Sequence, residues 1–149
     1  MSVIGRLIRW WNRQTETPPT ETILVARDEY VTNHLGQPCS TTDGQPPRPG
    51  HEYYGAPSPI DPQTGQHKSY WVLSAEERAK GFIRPVRNSY VHVVCGSLTR
   101  MGAALSETYA RDPKFYGGTF CCHCGKHFPL SINGVPQFTW DKDGEVVGS

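Results

Sequence analysis

Two short phrases in the second half of the chain repeat one arrangement of residues that bind soft metal ions. Each consists of a ligand, two intervening residues, a second ligand and then a glycine: His92-Val93-Val94-Cys95-Gly96 and Cys121-Cys122-His123-Cys124-Gly125. The two-residue gap lets both side chains turn toward one ion, and the glycine permits the tight turn that directs backbone N–H groups at sulfur. We therefore expect one zinc ion to be bound by His92, Cys95, Cys121 and Cys124.

The histidine is the least constrained of these four ligands. His92 completes a three-cysteine, one-histidine set if its strand ends at the metal, and His127 is the alternative, since Cys124-x-x-His127 could also curl onto the ion. Four protein ligands leave no position for a reactive water, so the zinc is expected to be structural. The paired phrases resemble the knuckles of zinc-ribbon and treble-clef domains.

The remaining sequence signals argue against other chemistry for the cysteines. The chain has five cysteines, an odd number, and three of them fall within four residues, so a disulfide framework is disfavoured and a reducing, intracellular setting is expected. A thioredoxin-like redox site would need a βαβ context, with a long helix after the cysteine pair. Pro129 and Pro136 follow the second phrase and disfavour such a helix. The usual hydrolase, deaminase, nucleotide-binding and dinucleotide-binding motifs are missing from the sequence, and we expect no enzyme.

A run of basic residues leaves a nucleic-acid-binding alternative open. From Arg78 to Ser106 no acidic residue occurs, and the candidate contacts are Arg84, Arg87, Tyr90 and Arg100. Such a run could follow phosphates while an aromatic ring stacks on bases. The simpler interpretation is that these charges keep a small domain hydrated. The formal net charge of +1 excludes a globally basic protein.

The segments around the two phrases predict an α+β fold. Strands are predicted at 69–73 and 90–94, and Ser74 with Glu77 matches a reciprocal capping box that begins a short helix. A second helix, capped by Ser97 or Thr99 and ended by Asp112-Pro113, is expected between the two phrases. A C-terminal hairpin is expected around residues 141–144. We expect a small zinc-ribbon or treble-clef-like domain with a short helix between its knuckles.

Three regions are predicted along the 149 residues. Residues 1–32 combine a basic amphipathic helix, with apolar residues at helical spacing from Val3 to Trp11, and a strand at 22–26. Residues 33–67 contain seven prolines and five glycines and are expected to form an irregular arm in which Cys39 is a bystander. Residues 68–149 form the zinc-binding domain. No segment has the length of apolar sequence that a transmembrane helix needs.

Three stretches resemble small uncharacterised proteins of tailed bacteriophages and prophages: Gly81 to Arg87, Tyr90-Val91-His92, and Glu107 to Gly117 running into Cys121. The resemblance covers roughly the last 80 residues and implies a phage product in the host bacterial cytoplasm. Accessory proteins of this size commonly bind other macromolecules. We expect a non-enzymatic protein with structural zinc that binds a host or phage protein; the alternatives are a nucleic-acid-binding zinc module and a nuclease-like enzyme with an unrecognised active site.

Overall fold

The structure, a computed structural model, describes residues 32–43 and 58–149. The predicted amphipathic helix and the predicted strand at 22–26 lie outside these residues. In chain order the elements are β1 (Cys39–Thr41), β2 (Trp71–Leu73), α1 (Ala75–Arg78), β3 (Ser89–His92), β4 (Leu98–Arg100), α2 (Ala103–Arg111), β5 (Gly118–Cys121), β6 (Lys126–Pro129), β7 (Ser131–Ile132), β8 (Val135–Pro136) and β9 (Phe138–Trp140). The result is a small mixed fold of antiparallel strands and short helices.

Antiparallel pairing organises all the named strands of the described chain. A three-stranded sheet has the order β4-β3-β9, with Tyr90 opposite both Thr99 and Trp140. Strands β1 and β2 form one pair, β5 and β6 a second, and β7 and β8 a third. Each of β3–β4 and β5–β6 is a hairpin whose connecting turn contains one of the two ligand phrases.

Aromatic side chains fill the core between the sheet and α2. Tyr109 of α2 packs edge-on against Trp140 of β9 and also contacts Tyr116. The Tyr116 hydroxyl donates to the carbonyl of Trp71, which ties β2 to the same core. Burial of these large rings is the main source of stability available to a domain of this size.

The arm predicted at 33–67 is partly ordered as a strand. Cys39 to Thr41 pairs with Trp71 to Leu73, and Cys39 is 2% exposed, so this cysteine belongs to the core and is no bystander. The burial arises because β2 is apolar on every residue and needs a partner strand as well as a helix to cover it. Prolines on both sides of β1 hid this short strand from pattern analysis.

The structure confirms the start of the first predicted helix but corrects that of the second. Ser74 does cap α1 by accepting from the Glu77 amide, but the Ser74 amide donates to Pro38 O, and the Glu77 carboxylate turns to Lys80 and Arg111. The second helix is not capped by Ser97 or Thr99, because these residues lie in or beside β4. Helix α2 begins after Gly102, which supplies no side-chain cap.

Other predicted boundaries agree with the structure. Helix α2 ends at Asp112, and the C-terminal hairpin forms around Gly144, which has a φ of 75°. Strand β3 ends at His92, two residues before the predicted end, because Val93 and Val94 belong to the turn. Within 32–43 and 58–149, no helix has the length and apolar character that crossing a membrane requires.

Candidate metal centre

The turn between β3 and β4 presents the first two candidate ligands. His92 is the last residue of β3, and Cys95 follows in the turn. The Gly96 amide donates to His92 O at 2.7 Å, and Gly96 has a φ of 73°, a left-handed conformation that suits glycine. This closed turn brings the two side chains to the same end of the hairpin.

The turn between β5 and β6 repeats this geometry. Cys121 ends β5, the Gly125 amide donates to Cys121 O at 2.8 Å, and Gly125 has a φ of 69°. The Cys124 amide lies 3.5 Å from Cys121 Sγ. The turn therefore directs a backbone N–H at the sulfur of a candidate ligand.

The two turns face each other and bring all four predicted ligands together. Cys95 Sγ lies 3.5 Å from Cys121 Sγ, and Cys124 Sγ lies 3.7 Å from His92 Nδ1. All four ligand atoms lie within 4.8 Å of one another. Tetrahedral zinc with Zn–S bonds of about 2.3 Å separates its sulfurs by about 3.8 Å, and a disulfide needs about 2.05 Å. The cysteines are free thiols at a spacing that fits one metal ion.

The imidazole of His92 is held in a ligating orientation from both sides. Its ring is 1% exposed and lies between Phe128 and Phe138, with ring centroids at 4.5 and 4.9 Å. With Nδ1 directed at Cys124, the opposite atom Nε2 lies 3.4 Å from the side-chain oxygen of Gln137. When Nδ1 binds a metal ion it carries no proton, so Nε2 would then carry the proton and donate it to Gln137.

The thiols of the centre have unequal acidities. The backbone N–H of Ser97 donates to Cys95 and lowers the pKa of that thiol to about 6. Partial desolvation, together with the sulfurs of Cys121 and Cys95, raises the pKa of the Cys124 thiol to about 11. Three sulfurs so close together cannot all ionise without a compensating cation, which a bound dication would supply.

The alternative ligand, His127, lies outside this cluster. Its Nε2 atom is 2.8 Å from the Tyr70 hydroxyl, and its ring packs against His67 and Phe120. Burial lowers the pKa of His127 to about 3. The antiparallel register places it opposite Phe120, so its side chain is committed to the core side of the β5–β6 hairpin.

The two residues inside the second turn lie outside the four-atom cluster. Cys122 is exposed, with its thiol 3.3 Å from Leu98 O, and its amide donates to Thr99 Oγ1. His123 is also exposed. Cys122 is therefore a thiol of the same turn that takes no part in the four-atom cluster.

The four candidate nucleic-acid contacts do not share a surface. Arg87 is 4% exposed at its side chain, pairs with Asp143 and Glu145 at 2.9 and 2.6 Å, and stacks on Trp140. Tyr90 is 2% exposed and donates its hydroxyl to Phe120 O. In this arrangement neither is accessible to phosphates or bases. The other two, Arg84 and Arg100, are exposed.

Gln137 and the two phenylalanines around His92 are site residues that sequence analysis missed. Gln137 belongs to no local motif and follows Pro136 directly, so nothing in the neighbouring sequence indicates a role beside a metal. Its position follows from pairing of β9 with β3, which also sets Phe138 opposite His92. Comparison of the chain with protein-family models, curated proteins and solved structures gives no match.

Proposed function

We propose that the cluster is a structural zinc site and that the protein acts, without catalysis, by binding another protein. The observation that carries the proposal is the convergence of one imidazole and three thiols, from two separate hairpins, within 4.8 Å. A bound ion would join β3–β4 to β5–β6. In a chain with so little core, such a link is a large share of the folding free energy.

The donor set favours zinc over other metals. Thiolate sulfur and imidazole nitrogen at tetrahedral spacing suit Zn²⁺, whereas iron–sulfur clusters most often take four cysteines and calcium or magnesium prefers oxygen. Four protein ligands also complete the coordination of a structural site. Nothing in this ligand set provides a position for substrate or reactive water.

The surface next to the metal supports a protein partner. Val94 in the first turn is 74% exposed, and Val93 beside it is 53% exposed, although valine is a residue that normally favours the interior. A turn clamped by a metal at its base presents such side chains rigidly, which lowers the entropic cost of binding. Because of the sequence resemblance given above, we further propose that the protein is a bacteriophage accessory protein that acts in a bacterial host.

The metal assignment is tested by two neighbouring substitutions. Cys121→Ser removes a buried ligand, whereas Cys122→Ser alters an exposed thiol of the same turn. We expect protein purified without chelator to contain one zinc per chain, Cys121→Ser to lose the zinc and most of its stability, and Cys122→Ser to retain both. Elemental analysis and thermal unfolding measure these outcomes. Protein without zinc, or equal behaviour of the two variants, would refute the structural-zinc assignment.

The partner assignment needs a separate test in phage-infected bacterial cells. Val94→Asp places a charge on the exposed turn, and Leu35→Asp places the same charge at another exposed apolar residue. We expect a host or phage protein to be retained by the wild type and by Leu35→Asp and lost with Val94→Asp. Retention by all three proteins would rule out the turn as the contact surface.

A further inference from the structure

Two of the candidate ligands, Cys95 and Cys121, lie close enough to react with each other. Their Sγ atoms are 3.5 Å apart, although the two residues stand 26 positions apart in the sequence and belong to different hairpins. All five cysteines of the chain are free thiols. A disulfide bond is about 2.05 Å long, so these two sulfur atoms would need to approach each other by only about 1.5 Å.

The position of both cysteines permits this approach. Cys95 lies in the turn between β3 and β4, and Cys121 is the last residue of β5, directly before the second turn. Turns and strand ends rearrange at a lower free-energy cost than the interior of a sheet. A bond between these two sulfur atoms would join the same two hairpins that one metal ion would join.

Exposure separates the pair into one sulfur that meets solvent and one that does not. Cys121 is 0% exposed, whereas Cys95 is partly exposed. A small oxidant dissolved in water therefore reaches Cys95 first, and Cys121 can attack Cys95 from the inner side. The third sulfur of the cluster, that of Cys124, lies 3.7 Å from His92 Nδ1. Cys39 is 2% exposed in the core and is shielded from the same reagent.

We propose that a peroxide converts the proposed zinc site into a disulfide between Cys95 and Cys121 and thereby releases the zinc. This inference rests on the structural-zinc assignment and adds a means of regulating the same site. Once both sulfurs are in the disulfide, only His92 and Cys124 remain as ligands, and they cannot complete the four-coordinate site that structural zinc requires. The disulfide would still connect the two hairpins.

The reaction with hydrogen peroxide balances in two steps. The Cys95 thiolate attacks one peroxide oxygen, the O–O bond breaks, and the hydroxide that leaves takes up a proton to form water, while Cys95 becomes a sulfenic acid. The Cys121 thiolate then attacks Cys95 Sγ, the S–S bond forms, the S–O bond breaks, and a second hydroxide leaves and takes up a proton. The two sulfur atoms lose two electrons, which the peroxide gains. Thiols of a reducing compartment would reverse the change by exchange with the disulfide.

The test treats the zinc-loaded full chain with hydrogen peroxide. A chromophoric chelator records the release of zinc relative to an untreated sample, and mass spectrometry of peptides from the unreduced protein identifies which cysteines are linked. We expect zinc to be lost in proportion to a Cys95–Cys121 disulfide, and a thiol reductant with added zinc to restore the original metal content. Zinc loss without a disulfide, or a disulfide between Cys121 and Cys124, overturns the proposal.

Cys122→Ser is the matched control, because Cys122 lies beside Cys121 but outside the four-atom cluster. We expect this variant to lose zinc at the same peroxide concentration as the wild type and to form the same disulfide. Resistance of Cys122→Ser to peroxide would show that Cys122 is the reacting thiol and would overturn the assigned pair. Zinc content before oxidation separates this inference from the proposed function. Reduced protein without zinc refutes the structural-zinc assignment, whereas protein that holds zinc and forms no Cys95–Cys121 disulfide refutes the redox switch alone.

Discussion

At the scale of single residues, Gln137 decides which nitrogen of His92 faces the cysteines. Its side-chain oxygen lies 3.4 Å from His92 Nε2, and Gln137 is 6% exposed, so water does not replace it easily. Partners of this kind fix the tautomer of a ligating histidine and raise its basicity. In the proposed zinc site, Gln137 would position His92 without binding the metal itself.

Substitution of Gln137 tests this role. Gln137→Leu leaves the His92 N–H without an acceptor, and we expect zinc affinity to fall about 10- to 100-fold. Gln137→Glu keeps an acceptor at the same place and should bind zinc nearly as well as the wild type. Competition with a chromophoric chelator measures both. Wild-type affinity in the leucine variant would mean that the Phe128 and Phe138 rings orient His92 alone.

His127 contributes a pH dependence of stability that is separate from the metal ligands. Burial lowers its pKa from 6.5 to about 3, so between these values the unfolded chain binds a proton that the folded chain does not. The free energy of unfolding therefore falls as pH decreases from 6.5, by at most about 1.4 kcal/mol per pH unit. Above pH 6.5 His127 is neutral in both states, and this loss of stability does not occur.

His127→Gln should reduce this slope. Glutamine does not titrate and can still hydrogen-bond to Tyr70, the partner of His127 Nε2. We expect denaturant unfolding at several pH values between 7 and 5 to give a shallower decrease for the variant than for the wild type. Zinc-ligand protonation affects both proteins equally, so the difference isolates His127. Parallel profiles would exclude this histidine as a source of acid sensitivity.

At the scale of elements, the segment before β2 packs directly on the turn between β5 and β6, which carries Cys124. A Cβ atom added to Gly65 would lie 1.9 Å from Gly125 O, and Gly125 directly follows Cys124. On the same side, Tyr70 bonds to His127 of β6. The chain before β2 is thus joined to the metal-binding hairpin through backbone contact that only glycine permits.

Gly65→Ala should therefore destabilise more than the same change at Gly36. Both glycines have positive φ, 82° and 78°, so both variants incur a backbone cost of about 1–2 kcal/mol. Only at Gly65 does the new methyl group also meet backbone, since nothing lies within 4 Å at Gly36. We expect a lower melting temperature and weaker zinc binding for Gly65→Ala than for Gly36→Ala. Equal melting temperatures would show that this contact opens without cost.

At the scale of the whole molecule, the four candidate ligands lie where two hairpins meet. The three-stranded sheet holds His92, whereas the β5–β6 pair holds Cys121 and Cys124. Outside the ligand cluster, four hydrogen bonds link them directly. The Tyr90 hydroxyl donates to Phe120 O and accepts from Thr119 Oγ1, and the Cys122 amide and thiol donate to Thr99 Oγ1 and Leu98 O. At about 1 kcal/mol each, these bonds supply less free energy than a structural zinc site, which contributes on the order of 10 kcal/mol.

Removal of the metal should loosen these hairpins before the rest of the core. We expect a strong chelator to lower the melting temperature and to abolish hydrogen-exchange protection at the Gly96 and Gly125 amides, which close the two turns. The β1–β2 pair, covered by α2 and Tyr116, should lose protection later. Exchange that is identical with and without chelator would show that the turns close without the ion.

The sequence alone predicted the features that depend on near neighbours. Spacing and glycine position identified His92, Cys95, Cys121 and Cys124, and the structure brings these four within metal-binding distance. Asp112-Pro113 and Gly144 marked a helix end and a hairpin turn for the same local reason. One local signal was overlooked: Asn133-Gly134, both with positive φ, connects β7 to β8, and this dipeptide is typical of a tight hairpin.

Only the tertiary structure decided the features that depend on distant pairing. Cys39 became a core residue because β1 pairs with a strand some 30 residues later, and Arg87 became buried because Asp143 and Glu145 neutralise it from the C-terminal hairpin. The choice of His92 over His127 followed from which face of each hairpin meets the core. Local spacing determines which residues can bind a metal together. Long-range packing determines which of the candidate side chains reach the site and which are buried in other contacts.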